Sequence, residues 1–181
     1  HNTVNTILQD RQGFMWFGTK DGLNQYDGLV FRTFQKENSS LGNNFITALH
    51  EDAEGNIWVG TDTGVYIYNP RLEKFTPFDI PIEGTGETIS RTITWIDSDP
   101  QKDVWISSDS QGLFHYDIKK NSLKEYSAKI GKGALNITRF WFGDNELWVN
   151  RYEDNLYHSE DAARFTVFRD VEGEEPFKGA I

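Results

Sequence analysis

A tryptophan set in the same surroundings returns at positions 16, 58, 105 and 148, at intervals of 42, 47 and 43 residues. From Asp52 to Asn69 the chain reads DAEGNIWVGTDTGVYIYN, and from Asp10 to Asp27 it reads DRQGFMWFGTKDGLNQYD. Each copy has an acidic turn closing on Gly13 or Gly55, an apolar run around the tryptophan, a second turn at Gly22 or Gly64, and a run ending in Tyr26 or Tyr68. Short apolar runs cut by Gly, Asn and Asp are strand and turn signals. A period of roughly 40 to 50 residues with four strands per unit is that of a β-propeller blade. The expected fold class is all-β, made of four four-stranded antiparallel blades that form part of a larger propeller.

The units fall at about residues 4–34, 45–78, 92–126 and 137–168, leaving 169–181 as a tail or the start of a further blade. Polar linkers such as Gln35 to Asn44 and Asp79 to Thr88 separate them. The first two units agree almost throughout. The third keeps Asp99, Trp105, Gly112 and Tyr116 but puts Lys102 at the turn glycine, and Ser107 and Ser108 where unit two has Gly60 and Thr61. The fourth has Asn150 and Arg151 at that pair, and Asn155 where a turn glycine stands. Asn is the usual substitute for Gly at positive φ, so this last change keeps the turn.

One tryptophan per unit in mid-strand is the pattern of a core position between blades. The turn acids Asp10, Asp52 and Asp99 read as Asx-turn formers rather than as catalytic or calcium-binding groups, because each unit holds one and no D-x-D-x-D-G run occurs. His1, His50, His115 and His158 show no metal-ligand spacing. His115 and His158 share one strand position in successive units, which reads as structural. No cofactor or metal is expected.

With 18 basic and 28 acidic residues the formal charge is −10, and the charges are mixed along the chain. A clustered positive surface for phosphates is lacking, so nucleic acid is not an expected partner. The sequence has no cysteine, which suits an oxidising compartment and excludes disulfides and thiolate chemistry. No apolar run reaches the roughly 20 residues that span a bilayer. The opening at His1 and Asn2, already in a strand-like pattern, reads as an excised piece of a longer protein that is not itself membrane-inserted.

The paired phrases GFMWFGTKDGLNQYDG and GNIWVGTDTGVYIYN resemble the two-component regulator propeller repeat. That resemblance implies a piece of the extracytoplasmic, periplasmic sensor region of an inner-membrane hybrid two-component system of the Bacteroides type. Such systems detect glycan breakdown products and signal to a histidine kinase. It further implies more blades and a kinase module elsewhere in the parent chain and an oligosaccharide as the expected ligand. It carries no transferable ligand motif.

Candidate ligand-binding residues therefore come from departures within the repeat. Two residues after the first apolar residue of each inner strand (Val4, Ile46, Ile93, Ile137) stand Thr6, Ala48, Trp95 and Arg139. An aromatic face beside a guanidinium suits a sugar or an acidic sugar. The plainer reading is that Trp95 and Arg139 repack a degenerate blade. Two other functions fit the same fold: a protein-interaction or dimerisation scaffold, and a propeller-type glycosidase or lyase. Four blades also fall short of the roughly 300 residues that a seven- or eight-bladed ring needs at this period, so the piece either self-associates as an open arc, the favoured expectation, or closes as four blades.

Overall fold

The computed structural model describes residues 3–127, 136–143, 146–151, 156–160 and 166–167. Sixteen strands appear there, in four antiparallel sheets whose order follows the chain. Blade one comprises β1 (Val4–Gln9), β2 (Met15–Thr19), β3 (Gly22–Tyr26) and β4 (Phe31–Phe34). Blade two holds β5 (Ile46–Glu51), β6 (Ile57–Thr61), β7 (Gly64–Asn69) and β8 (Lys74–Pro77). Blade three holds β9 (Ile93–Ser98), β10 (Val104–Ser108), β11 (Gly112–Asp117) and β12 (Ser122–Glu125). Blade four holds β13 (Ile137–Gly143), β14 (Glu146–Arg151), β15 (Leu156–Ser159) and β16 (Thr166–Val167). The expected all-β fold of four four-stranded blades is what the chain adopts. Asn155 and the 169–181 tail lie outside the described residues.

Successive side chains of a strand leave on opposite faces, so each blade offers one face to the blade before it and one to the blade after. Trp16, Leu23 and Phe34 of blade one meet Ile57, Val59, Tyr68 and Phe75 of blade two in a single cluster. Trp58, Val65 and Phe78 meet Val104, Ile106, Phe114 and Leu123 in the same way, and Trp105 and Leu113 meet Phe140, Leu147, Val149 and Tyr157. The rings touch edge to face: Trp16 lies 5.3 Å from Tyr68, and Trp105 lies 5.9 Å from Phe142. The core therefore sits between blades, as the spacing of the tryptophans requires.

Trp148 departs from this expectation. It occupies the equivalent strand position, yet is only half-buried, stacking on Trp141 at 6.2 Å and on His158 at 5.1 Å. Its face is the outer face of blade four, where no described blade packs. The matching surface at the other end carries Ile7 and Phe31, which are 58% and 59% exposed. In blade two the counterpart of Phe31, Phe75, is buried against blade one.

The turn acids do more than shape a turn. Asp52 Oδ1 accepts the backbone N–H groups of Glu54 and Asn56, while Oδ2 accepts the Trp58 indole N–H at 2.9 Å. Asp10 holds Trp16 at 2.7 Å and Asp99 holds Trp105 at 3.0 Å in the same way. Each buried indole thus finds its acceptor six residues upstream. Phe142 stands at that place before Trp148, so blade four lacks the device.

The linkers are more than spacers. Leu41, Ile82 and Ile89 are buried, and Ile82 forms a parallel bridge with Leu123 of β12. No helix among the described residues is long and apolar enough to cross a membrane.

Candidate functional site

The inner strands β1, β5, β9 and β13 lie side by side in succession, the arrangement that lines the axis of a propeller. Each pairs with its neighbour through a register shift that leaves one residue out: Asn5, Thr47, Thr94 and Thr138. These are β-bulges. Two of the excluded side chains tie their blade to the next, Asn5 Nδ2 donating to the Ile46 carbonyl at 2.8 Å and Thr94 Oγ1 to the Ile137 carbonyl at 2.6 Å.

Beyond the bulge, Thr6, Ala48, Trp95 and Arg139 stand opposite Gly18, Gly60, Ser107 and Asn150. In the two regular blades this cross-strand pair must be small. A Cβ on Gly18 would lie 2.6 Å from Ile46 Cγ2, and one on Gly60 would lie 2.7 Å from Ile93 Cγ2, because the next inner strand closes on that point. The departures at Ser107 and Trp95, and at Asn150 and Arg139, are therefore partners in one change. Ser107 is buried and shares a 2.7 Å hydrogen bond with Thr94.

The structure brings the two sequence-derived site residues together. The Arg139 guanidinium carbon sits 4.3 Å from the centroid of the Trp95 ring, and Arg139 is exposed. Such a contact is a cation–π pair. Trp95 itself is half-buried against the cluster between blades three and four, and its indole N–H is buried without a hydrogen-bond partner. The pair thus lies at the inner edge of the blade three to blade four junction, presenting a planar cation outward.

A second grouping escaped the sequence reading. Asp99 and Asp103, at the two ends of the β9–β10 turn, and His115 on β11 bring one ligand-type atom each within 4.8 Å of one another. Burial pushes the Asp99 carboxyl up, but His115 and the N–H groups of Trp105 and Asp103 outweigh it and hold the carboxyl below its ordinary value. The three residues line a cavity of about 570 Å3 between blades three and four. The signal that could have found it is the strand register: His115 lies directly across from Trp105, whose indole Asp99 holds.

The chain is similar to known proteins both in part of its sequence and in fold. Residues 1–21 and 40–63 match the sequence profile of the two component regulator propeller, and the chain carries that repeat. Among solved structures, the extracellular domain described as that of a hybrid two component system from B. thetaiotaomicron shares 26% identity over 93% of this chain and 25% of its own, with a TM-score of 0.79. A second such domain from the same organism shares 22% identity over 92% of this chain and 25% of its own, also at 0.79. A streptogramin B lyase matches at 15% identity, over 93% of this chain and 55% of its own, with a TM-score of 0.70, a likeness of fold. The chain spans about a quarter of the length of the extracellular domains. No curated protein sequence matches it.

Proposed function

We propose that this chain is part of the non-catalytic, extracytoplasmic sensor region of a hybrid two-component system. On this reading it lies in the periplasm and takes an oligosaccharide whose binding is passed to a histidine kinase in the parent chain. The observation that supports it most is the stacked Trp95 and Arg139 pair, placed where the repeat breaks and on the strands nearest the propeller axis. An indole face and a guanidinium are the groups that receive a sugar ring and a uronate or sulfate on it. Likeness to the extracellular domains of such systems points the same way. A ligand shifts a sensor only by binding two of its states unequally, and a blade junction is a place where two states can differ.

Neutral and acidic oligosaccharides screened by thermal melting test this reading, with the same mixtures assayed for cleavage products. The expected result is a saturable rise in melting temperature with at least one oligosaccharide class and no product. Turnover would favour the glycosidase or lyase reading, and no shift with any class would count against a carbohydrate ligand.

The uncovered end faces support a second reading, in which the arc associates with a second copy of itself. Ile7 and Phe31 at one end and Trp141, 38% exposed, at the other belong to sheet faces of the kind that are buried between the inner blades. Sedimentation at tens of micromolar is the test, and a strictly monomeric species would count against it.

A further inference from the structure

We propose that Asp99, Asp103 and His115 form a binding site for one divalent transition-metal cation, of which zinc is the type. His115 Nε2 lies 3.6 Å from Asp99 Oδ2 and 3.4 Å from Asp103 Oδ2. These separations are too long for hydrogen bonds. They are close to the edge of a tetrahedron of ligands about 2.1 Å from a central ion, roughly 3.4 Å. The Nε2 atom is buried without a hydrogen-bond partner.

The carboxylates are oriented from behind. Asp99 Oδ1 accepts the Asp103 backbone N–H at 3.0 Å, and Asp103 Oδ1 accepts the Ile118 N–H at 3.1 Å. Both Oδ2 atoms are left facing the imidazole, although Asp99 Oδ2 also accepts the Trp105 indole N–H. The His115 ring is itself held against the Trp105 ring at 4.6 Å. Outer contacts of this kind fix the ligands of metal sites. Imidazole nitrogen with carboxylate oxygen suits zinc and its first-row neighbours, and three protein ligands leave a fourth position open to solvent. That position opens onto the cavity, whose described walls add the carboxylates of Glu146 and Glu160, and that of Asp117 paired with the Lys120 ammonium at 2.6 Å. The field there favours a cation.

Comparison of the blades isolates the change. Asp10 and Asp52 match Asp99, but Asp103 is matched by Phe14 and Asn56, and the residue across from the tryptophan is Gln25, Ile67 and His115 in turn. Blade four has Glu146 and His158 at the two extra places but Phe142 where Asp99 stands, so among the described residues all three ligand types coincide only in blade three. A bound ion would fasten the β9–β10 turn to β11 and, through Trp105 and its contact with Phe142, stiffen the junction with blade four.

The test is titration of the chelator-washed chain with Zn2+ by calorimetry, with Co2+ absorption reporting the ligand geometry. The expected result is one ion per chain, a rise in melting temperature, and tetrahedral-type Co2+ bands. Asp103→Asn and His115→Gln copy residues that blades two and one already carry, so the folded state is retained. Each should weaken Zn2+ binding at least about tenfold. Absence of stoichiometric binding would overturn the proposal, and so would binding that persists unchanged in the double variant. Should His115→Gln fail to fold, Asp103→Asn decides alone.

Discussion

At the scale of single residues, the repeat phrase is a set of local solutions to backbone and hydrogen-bond demands. Gly13 and Gly55 take φ of 94° and 86°, and Lys102 takes 75° at the same place. A side chain in that region carries a penalty of about 1 kcal/mol. Lys102→Gly should therefore raise the unfolding free energy by about 1 kcal/mol in denaturant titration, and a loss of stability would contradict this account of the turn. Asp52 shows the opposite case. Its buried carboxylate satisfies two backbone N–H groups and the Trp58 indole, so Asp52→Ala leaves buried donors unpaired. A loss of roughly 3 kcal/mol is expected, and a near-neutral result would show that the indole contact is incidental. The turn role of Asp52 was legible from D-x-x-G alone. The indole contact was not, because a spacing of six residues becomes a contact only once the turn folds the second strand back.

At the scale of strands and blades, position in the arc sets the worth of a side chain. Trp58→Ala should cost about 3 to 5 kcal/mol, as expected for a large ring removed from a closed core. Trp148→Ala, at the same repeat position on the uncovered face, should cost less than about 1 kcal/mol, and equal losses would mean that blade four is covered. His50 links strands in another way, with Nε2 2.7 Å from Ser98 Oγ across the blade boundary. Burial pushes its pKa below the ordinary 6.5, against the pull of Asp97, Asp52 and Glu51. The unfolded chain then takes up a proton first as pH falls through about 6.5, so stability is full above that pH and declines below it. Unfolding midpoints at about pH 7.5 and 5.5 should differ, and His50→Gln should shrink the difference; an unchanged difference would assign the effect elsewhere. Strand order and the two regular blades were readable from period and alternation. The four bulges were not, since Asn5, Thr47, Thr94 and Thr138 look like ordinary strand residues until the partner strand is placed.

At the scale of the whole molecule, a scaffold of repeated contacts carries two local departures, and both fall in blades three and four. Trp95 and Arg139 could be picked out because the repeat supplies its own reference. Asp99, Asp103 and His115 needed the hairpin register as well, because their meeting depends on which residue of β11 lies across from Trp105. The shared location makes the blade three to blade four junction the place where occupancy could alter the geometry of the arc. The proposed carbohydrate site is Trp95 and Arg139 at that junction. Calorimetric titration with the oligosaccharide that gives the largest melting shift tests it most directly, on the wild-type chain and on Trp95→Phe and Arg139→Ala. Saturable one-site binding is expected, weakened by about tenfold, or about 1.4 kcal/mol, in Arg139→Ala, with a smaller loss in Trp95→Phe. Affinity unchanged in both variants would contradict it.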